Sequence, residues 1–249
     1  KINFVQSLRS SEDYIYKHVL NVAILSAIIA GQMGFPVGRI NLLVKSAILH
    51  DIGALKLQQL PDAEDLDDGT KEVVKKNTQE TLDRYGDLDE EVLRLITQMQ
   101  ELYTRESDAE FPAGLKESVN ANILYVADAY DRMTAMKSFE EPTSEVKAVR
   151  ELLADEERYN KKIVNALIHG ISILYPGVCV ELSNGEKGLV ITGNEENIFE
   201  PTVLDFRNNN LYDLSDPSVK QTVEIADVMK TMDNRIKLDK SLLEEYQAN

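Results

Sequence analysis

Apolar residues recur at helical spacing along much of the chain, and the stripes they draw predict a bundle of helices. From Asp13 to Met33, Tyr14, Val22, Leu25 and Ile29 fall on one stripe with His18, so His18 is expected to face inward. Gly34 and Pro36 end that helix. Ile40, Val44, Ala47 and Ile48 draw the stripe of a second, which runs to His50 and Asp51 and is expected to stop at Gly53. Pro61 and the acidic run Asp62 to Asp68 mark Gln58–Thr70 as an exposed loop. Helical patterns resume over Lys71–Tyr85, Asp89–Tyr103, Val119–Met136, Val146–Leu153 and Asn160–Leu174, with a polar loop at Thr104–Gly114. Within Val119–Met136 the apolar Ile123, Leu124, Ala127 and Tyr130 surround an isolated carboxylate, Asp128.

At Tyr175-Pro176-Gly177 the period changes from helical to alternating. Val178–Leu182, Lys187–Thr192 and Thr202–Phe206 read as strands, and Asn184-Gly185 as the turn of a hairpin joining the first two. A charged, weakly amphipathic helical pattern returns over Val219–Tyr246. The expected fold class is therefore mainly α: a helical bundle, then a small antiparallel β extension and a C-terminal helix. The domain boundary is expected between residues 1–174 and 175–249.

Composition narrows the classes of partner. A net charge of −16 argues against a broad surface for nucleic-acid polymers or anionic membranes, both of which need Lys and Arg to neutralise phosphates. A small phosphorylated ligand held by one local cation stays compatible with that charge. The single Cys179 excludes an internal disulfide and a Cys-based zinc cluster, which suits a reducing cytoplasm. Cys179 itself reads as a small hydrophobe in a strand rather than a nucleophile. No apolar run approaches the roughly 20 residues that span a bilayer, and no signal peptide is visible. The chain opens at Lys1 rather than Met, which leaves room for an upstream segment.

The candidate chemistry begins where the second helix ends. In Ala47-Ile48-Leu49-His50-Asp51-Ile52-Gly53 an apolar run closes on an adjacent imidazole and carboxylate, which both lose water on burial unless something binds them. One reading is a hydrogen-bonded helix end, and the other a metal ion. If three of the helices meet, His18, His50, Asp51 and Asp128 converge as two imidazoles and two carboxylates, a donor set suited to a divalent Mn, Fe, Zn or Mg. The third histidine, His169, reads as structural or exposed.

His18, then His50-Asp51, then Asp128 within Tyr125-Val126-Ala127-Asp128-Ala129-Tyr130-Asp131 resembles the HD phosphohydrolase superfamily. More narrowly it is similar to the HD-GYP branch of cyclic di-GMP phosphodiesterases. The likeness runs from about Asp13 to about Leu214 and takes in Tyr175-Pro176-Gly177 and the Asn184-Gly185 hairpin. It implies an HD-type bundle, with His18, His50, Asp51 and Asp128 as ligands of one divalent metal. It further implies a ligand-phosphate role for Lys137, since Lys137-Ser138-Phe139 stands where the family has an Arg-Pro-Tyr-like element.

The departures from that pattern fall selectively. Ala54 stands where the family has a Lys after the His-Asp-Ile-Gly run, and Lys56 is out of register. Asn77 and Thr81 replace a His and the following Gly; Met99-Gln100 replaces a His pair; and only Pro112 and Gly114-Leu115 remain of the Asp-Gly-X-Gly-Tyr-Pro signature. By resemblance, the ligands of a second and third metal are gone while the one-metal quartet is kept. The expectation is a degenerate signalling domain, leaning away from enzyme activity, that binds one metal and reads cyclic di-GMP, another small nucleotide or a protein partner. Two other readings remain. One is an active one-metal phosphohydrolase or phosphodiesterase using Asp51; the other is a structural module that forms a homodimer through its final helix.

Overall fold

The computed structural model describes residues 11–57, 68–85, 88–103, 118–135 and 142–229. Its helices are α1 (Ser11–Gln32), α2 (Val37–Leu49), α3 (Asp68–Arg84), α4 (Glu90–Tyr103), α5 (Val119–Thr134), α6 (Glu145–Ala154) and α7 (Lys161–Gly170), with a short 3-10 helix at Ile52–Lys56. The strands are β1 (Cys179–Leu182), β2 (Lys187–Thr192), β3 (Thr202–Asp205), β4 (Leu211–Asp213) and β5 (Ile225–Val228), and a single turn of helix, α8 (Pro217–Lys220), precedes β5. The chain is thus mainly helical with a small antiparallel sheet. By backbone contacts its described residues divide into two compact units, one of those between 11 and 143 with Ala148–Ile171, the other of Ser144–Lys147 with residues 172–229.

In the helical unit, α1 is central and packs on α2, α5 and α7, while α4 packs on α2 and α5. The stripe expected on α1 is its buried face: His18, Val22 and Ile29 are fully buried and Leu25 nearly so. On α2 the inward residues are Leu43, Ser46 and Ala47, whereas Ile48 is 47% exposed, so the expected stripe is rotated from the real one. Ser118 starts α5, its hydroxyl accepting from the Ala121 N–H. Ile123, Leu124, Ala127 and Asp128 are all fully buried along α5.

Gly53 does not stop α2. The helix ends at Leu49, and Gly53 lies inside the following 3-10 turn. A Cβ there would sit 2.3 Å from the Thr78 nitrogen and the Val74 carbonyl oxygen, so glycine is required because the turn lies directly on the backbone of α3. That close approach fixes the chain just beyond Asp51. The helix expected over Asn160–Leu174 closes at Gly170, where Ile171 turns extended. The window Ile15–Gln32 of α1 is long and apolar enough to cross a membrane by length and composition, which corrects the expectation that no run comes near. Its packing in the bundle accounts for that apolarity.

In the second unit the strand order is β4-β3-β2-β1-β5, every pair antiparallel. The β1–β2 hairpin turns where expected: Gly185 has φ +81°, and the Leu182 N–H donates to the Glu186 carbonyl across a three-residue loop. Val180, Leu182, Val190 and Val203 fill one face. The helix expected from Val219 is corrected over its first part. Alternating Val223, Ile225 and Asp227 turn inward, and β5 pairs with β1. The rest of that expected helix, from Lys230, lies outside the described residues, as do Lys137-Ser138-Phe139, the loop Thr104–Leu115 with Phe111 and Pro112, and the acidic loop from Gln58 to Asp67.

Candidate metal centre

Four side chains from two helices and one helix end meet at a point. His18 comes from the middle of α1, His50 and Asp51 from the end of α2, and Asp128 from the middle of α5. One donor atom from each lies within 4.8 Å of the others, an arrangement that could hold a metal ion. His18 Nε2 is 2.9 Å from Asp128 Oδ1 and 3.6 Å from Asp51 Oδ2, and His50 Nε2 is 3.3 Å and 3.5 Å from the same two oxygens. The imidazoles lie edge to face, with centroids 5.4 Å apart. His18 and Asp128 are fully buried, while Asp51 keeps 13% of its side-chain surface and marks the solvent side.

The groups behind the quartet decide which nitrogen each imidazole turns inward. His50 Nδ1–H donates to the Ala47 carbonyl at 2.6 Å, taking up one of the free carbonyls at the end of α2. His18 Nδ1–H donates to Asp131 Oδ2 at 2.8 Å, and Asn21 Nδ2 holds the other Asp131 oxygen at 2.7 Å. Both Nε2 atoms therefore face Asp51 and Asp128. A carboxylate or carbonyl on the far nitrogen is the usual support of a metal-ligating histidine. The donor set of two imidazoles and two carboxylates, backed this way, fits a divalent cation.

A cation of the protein's own already touches this point. Arg132, one turn beyond Asp128 on α5, donates from Nε to Asp128 Oδ2 at 2.9 Å and from Nη2 to Asp51 Oδ2 at 2.8 Å. Burial alone would raise both carboxyl groups. The charges of His50, Arg132 and His18 hold Asp51 below the usual carboxylate range, and Arg132 with His18 hold Asp128 well below it. Burial and Arg132 pull His18 down, yet the Asp128 charge and the hydrogen bonds to Asp128 and Asp131 outweigh them and push it up to about 9.

The flanking positions are built differently. Ala54 is buried against Ile15 and Val74. Lys56 turns to α3, where its ammonium donates to the Asn77 carbonyl at 3.3 Å. Asn77 Nδ2 donates to the Gly53 carbonyl at 3.4 Å and Gln100 Nε2 to the His50 carbonyl at 3.2 Å, so both cap the backbone that follows α2. Met99 is fully buried. His169 is exposed, its Nδ1–H bonded to the Asn165 carbonyl, and Cys179 is half-buried at the start of β1. Sequence reasoning missed Asn21, Asp131 and Arg132. The last two carried a usable signal, since residues three and four beyond Asp128 share its helix face.

The HD domain family model matches residues 15–133, the segment that carries all four converging donors. Two relatives to which the chain is similar are cyclic di-GMP phosphodiesterases. The chain is 22% identical to the cyclic di-GMP phosphodiesterase PA4108 of Pseudomonas aeruginosa over 80% of its own length and 49% of that protein. It is 24% identical to the cyclic di-GMP phosphodiesterase PdeB of Borreliella burgdorferi over 89% of its own length and 60% of that protein. The chain thus spans about half to three fifths of these relatives.

Proposed function

We propose that this chain is a degenerate HD-GYP-like domain in cyclic-dinucleotide signalling, in which His18, His50, Asp51 and Asp128 bind one divalent metal and phosphodiesterase activity is lost or weak. Its helical body, residues 1–174, carries the site, and residues 175–249 form an accessory extension. The observation that carries this reading is the contrast between the quartet and its flank. Four donors converge with their supporting hydrogen bonds in place, whereas Asn77 and Gln100 cap backbone carbonyls and Met99 fills core. A metal held there supplies a Lewis acid that polarises a phosphoryl oxygen and lowers the pKa of water. The protein's part is to hold both Nε2 atoms inward and to keep Asp51 at the solvent edge, where a phosphate ester can approach. With Asn77, Met99 and Gln100 in place of ligands for a second metal, much of the stabilisation of phosphoryl charge that further metals supply is missing, and each such interaction removes several kcal/mol of barrier.

Metal content after purification without chelator, followed by binding and turnover of cyclic di-GMP with added Mn2+ or Fe2+, tests the proposal. The expected result is uptake of one equivalent of the added metal and nucleotide binding without appreciable turnover. Metal-dependent turnover that Asp51→Ala abolishes would overturn it in favour of an active one-metal phosphohydrolase, the reading that the complete quartet favours. A protein that takes up no metal and keeps its stability after His50→Ala would instead be a structural module.

A further inference from the structure

The Asp51 oxygen that faces both histidines is the one that Arg132 holds. Asp51 Oδ2 lies 3.6 Å and 3.5 Å from the two imidazole Nε2 atoms and 2.8 Å from Arg132 Nη2. Asp128 divides its oxygens: Oδ1 faces the imidazoles and Oδ2 takes the Arg132 Nε–H at 2.9 Å. Three inward donors are thus unobstructed by the guanidinium, and the fourth is contested.

We propose that Arg132 is a resident counter-cation of the metal centre, one that holds Asp51 and Asp128 together without metal and weakens metal binding by contesting Asp51. This rests on the metal-centre reading above and adds to it the residue that sets metal affinity. Two buried carboxylates side by side repel, and a forked guanidinium joining them is the geometry that relieves the repulsion. The same guanidinium repels an incoming dication at close range and draws electron density from two of its four ligands. Neutral or anionic acceptors behind a ligand raise its basicity; a cationic donor does the opposite. An arginine stays charged at any accessible pH, so the opposition persists unless the side chain moves. With a quarter of its side chain exposed, Arg132 borders solvent. The site is then a weak, reversible metal centre that keeps its shape when empty.

Mn2+ titration of wild type, Arg132→Gln and Arg132→Lys by calorimetry, with thermal melts of each metal-free protein, tests this. Arg132→Gln is expected to bind Mn2+ about tenfold or more tightly than wild type, and to melt lower without metal. Arg132→Lys, which keeps the charge and loses the fork, is expected to stay within about threefold of wild-type affinity while also melting lower. Equal or weaker Mn2+ binding by a folded Arg132→Gln overturns the proposal. Should Arg132→Gln fold only when Mn2+ is added, the proposal is supported. Should it not fold at all, Arg132→Lys decides, because Mn2+ binding more than about threefold weaker than wild type overturns the proposal. Binding by Arg132→Gln but not by wild type supports the contest for Asp51 and overturns the reading that the wild-type chain carries a metal. Absence of Mn2+ binding in every folded protein overturns the metal-centre reading and this inference with it.

Discussion

The quartet at the end of α2 and the flank around it are neighbours made by opposite means. The quartet crowds ionisable groups into a buried space and balances them against one another: Asp51, Asp128 and Asp131 against Arg132 and a His18 whose proton is strongly held. The flank, at Ala54, Asn77, Met99 and Gln100, is neutral throughout, and its polar members bond to main-chain carbonyls. A buried ion cluster is costly to keep unless something uses it, because apolar residues of the same volume hold a fold equally well. The flank shows the same bundle built from neutral packing. The lesson is that one bundle is held by balanced charge at the quartet and by neutral packing beside it.

The largest expected effect comes from Asp128, the carboxylate shared by both imidazoles and Arg132. Asp128→Ala is expected to abolish high-occupancy metal binding and to destabilise the metal-free protein by about 3–5 kcal/mol, because it removes the balancing charge from a buried cluster. Chemical denaturation in chelator, paired with a metal titration, reads both. A loss below about 1 kcal/mol would mean that the cluster is not the buried network described here.

Met99 is expected to behave in the opposite way. Met99→Ala deletes a fully buried side chain and should cost about 3 kcal/mol of stability by the same denaturation measurement, through lost burial and the cavity left behind. Metal affinity of the folded variant is expected to stay within about threefold of wild type, since only the loss of a group that holds a ligand in place costs about tenfold or more. A large drop in affinity at unchanged stability would move Met99 from the packing to the metal centre.

Much of this contrast was legible before any coordinates, for identifiable physical reasons. His18 sits on an apolar stripe of period 3.6, Asp128 interrupts another, and a buried polar residue on an apolar stripe is itself a signal. The resemblance to the family marked Ala54, Asn77, Met99 and Gln100 as departures from its pattern, but not what these side chains do here. Whether Gln100 points at a metal or at a carbonyl depends on the path of the chain beyond α2, which Gly53 sets by its contact with α3, a long-range packing event with no local signature. Arg132 was obscured differently: an Arg four residues after an Asp is commonplace on exposed helices, and only the arrival of Asp51 from another segment makes this one a bridge. In the sheet, the charges of Lys220, Glu224 and Asp227 concealed the alternation of β5, because Asp227 turns inward to the Lys147 ammonium at 2.8 Å.

Gln100 gives the smallest effect and the finest test of where the quartet ends. Its amide donates at 3.2 Å to the His50 carbonyl, so it touches the backbone of a candidate ligand without facing the metal. Gln100→Ala removes the buried hydrogen bond to the His50 carbonyl and leaves that carbonyl to find water or do without, a loss of about 1 kcal/mol. The His50 imidazole is fixed independently by its own bond to the Ala47 carbonyl, so metal affinity is expected to fall by less than about threefold, short of the tenfold that disruption behind a ligand causes. Denaturation and Mn2+ titration of this one variant measure both quantities. If affinity falls tenfold or more while stability falls by only about 1 kcal/mol, the helix end is held in place by Gln100 rather than by the imidazole, and the flank is part of the metal centre after all.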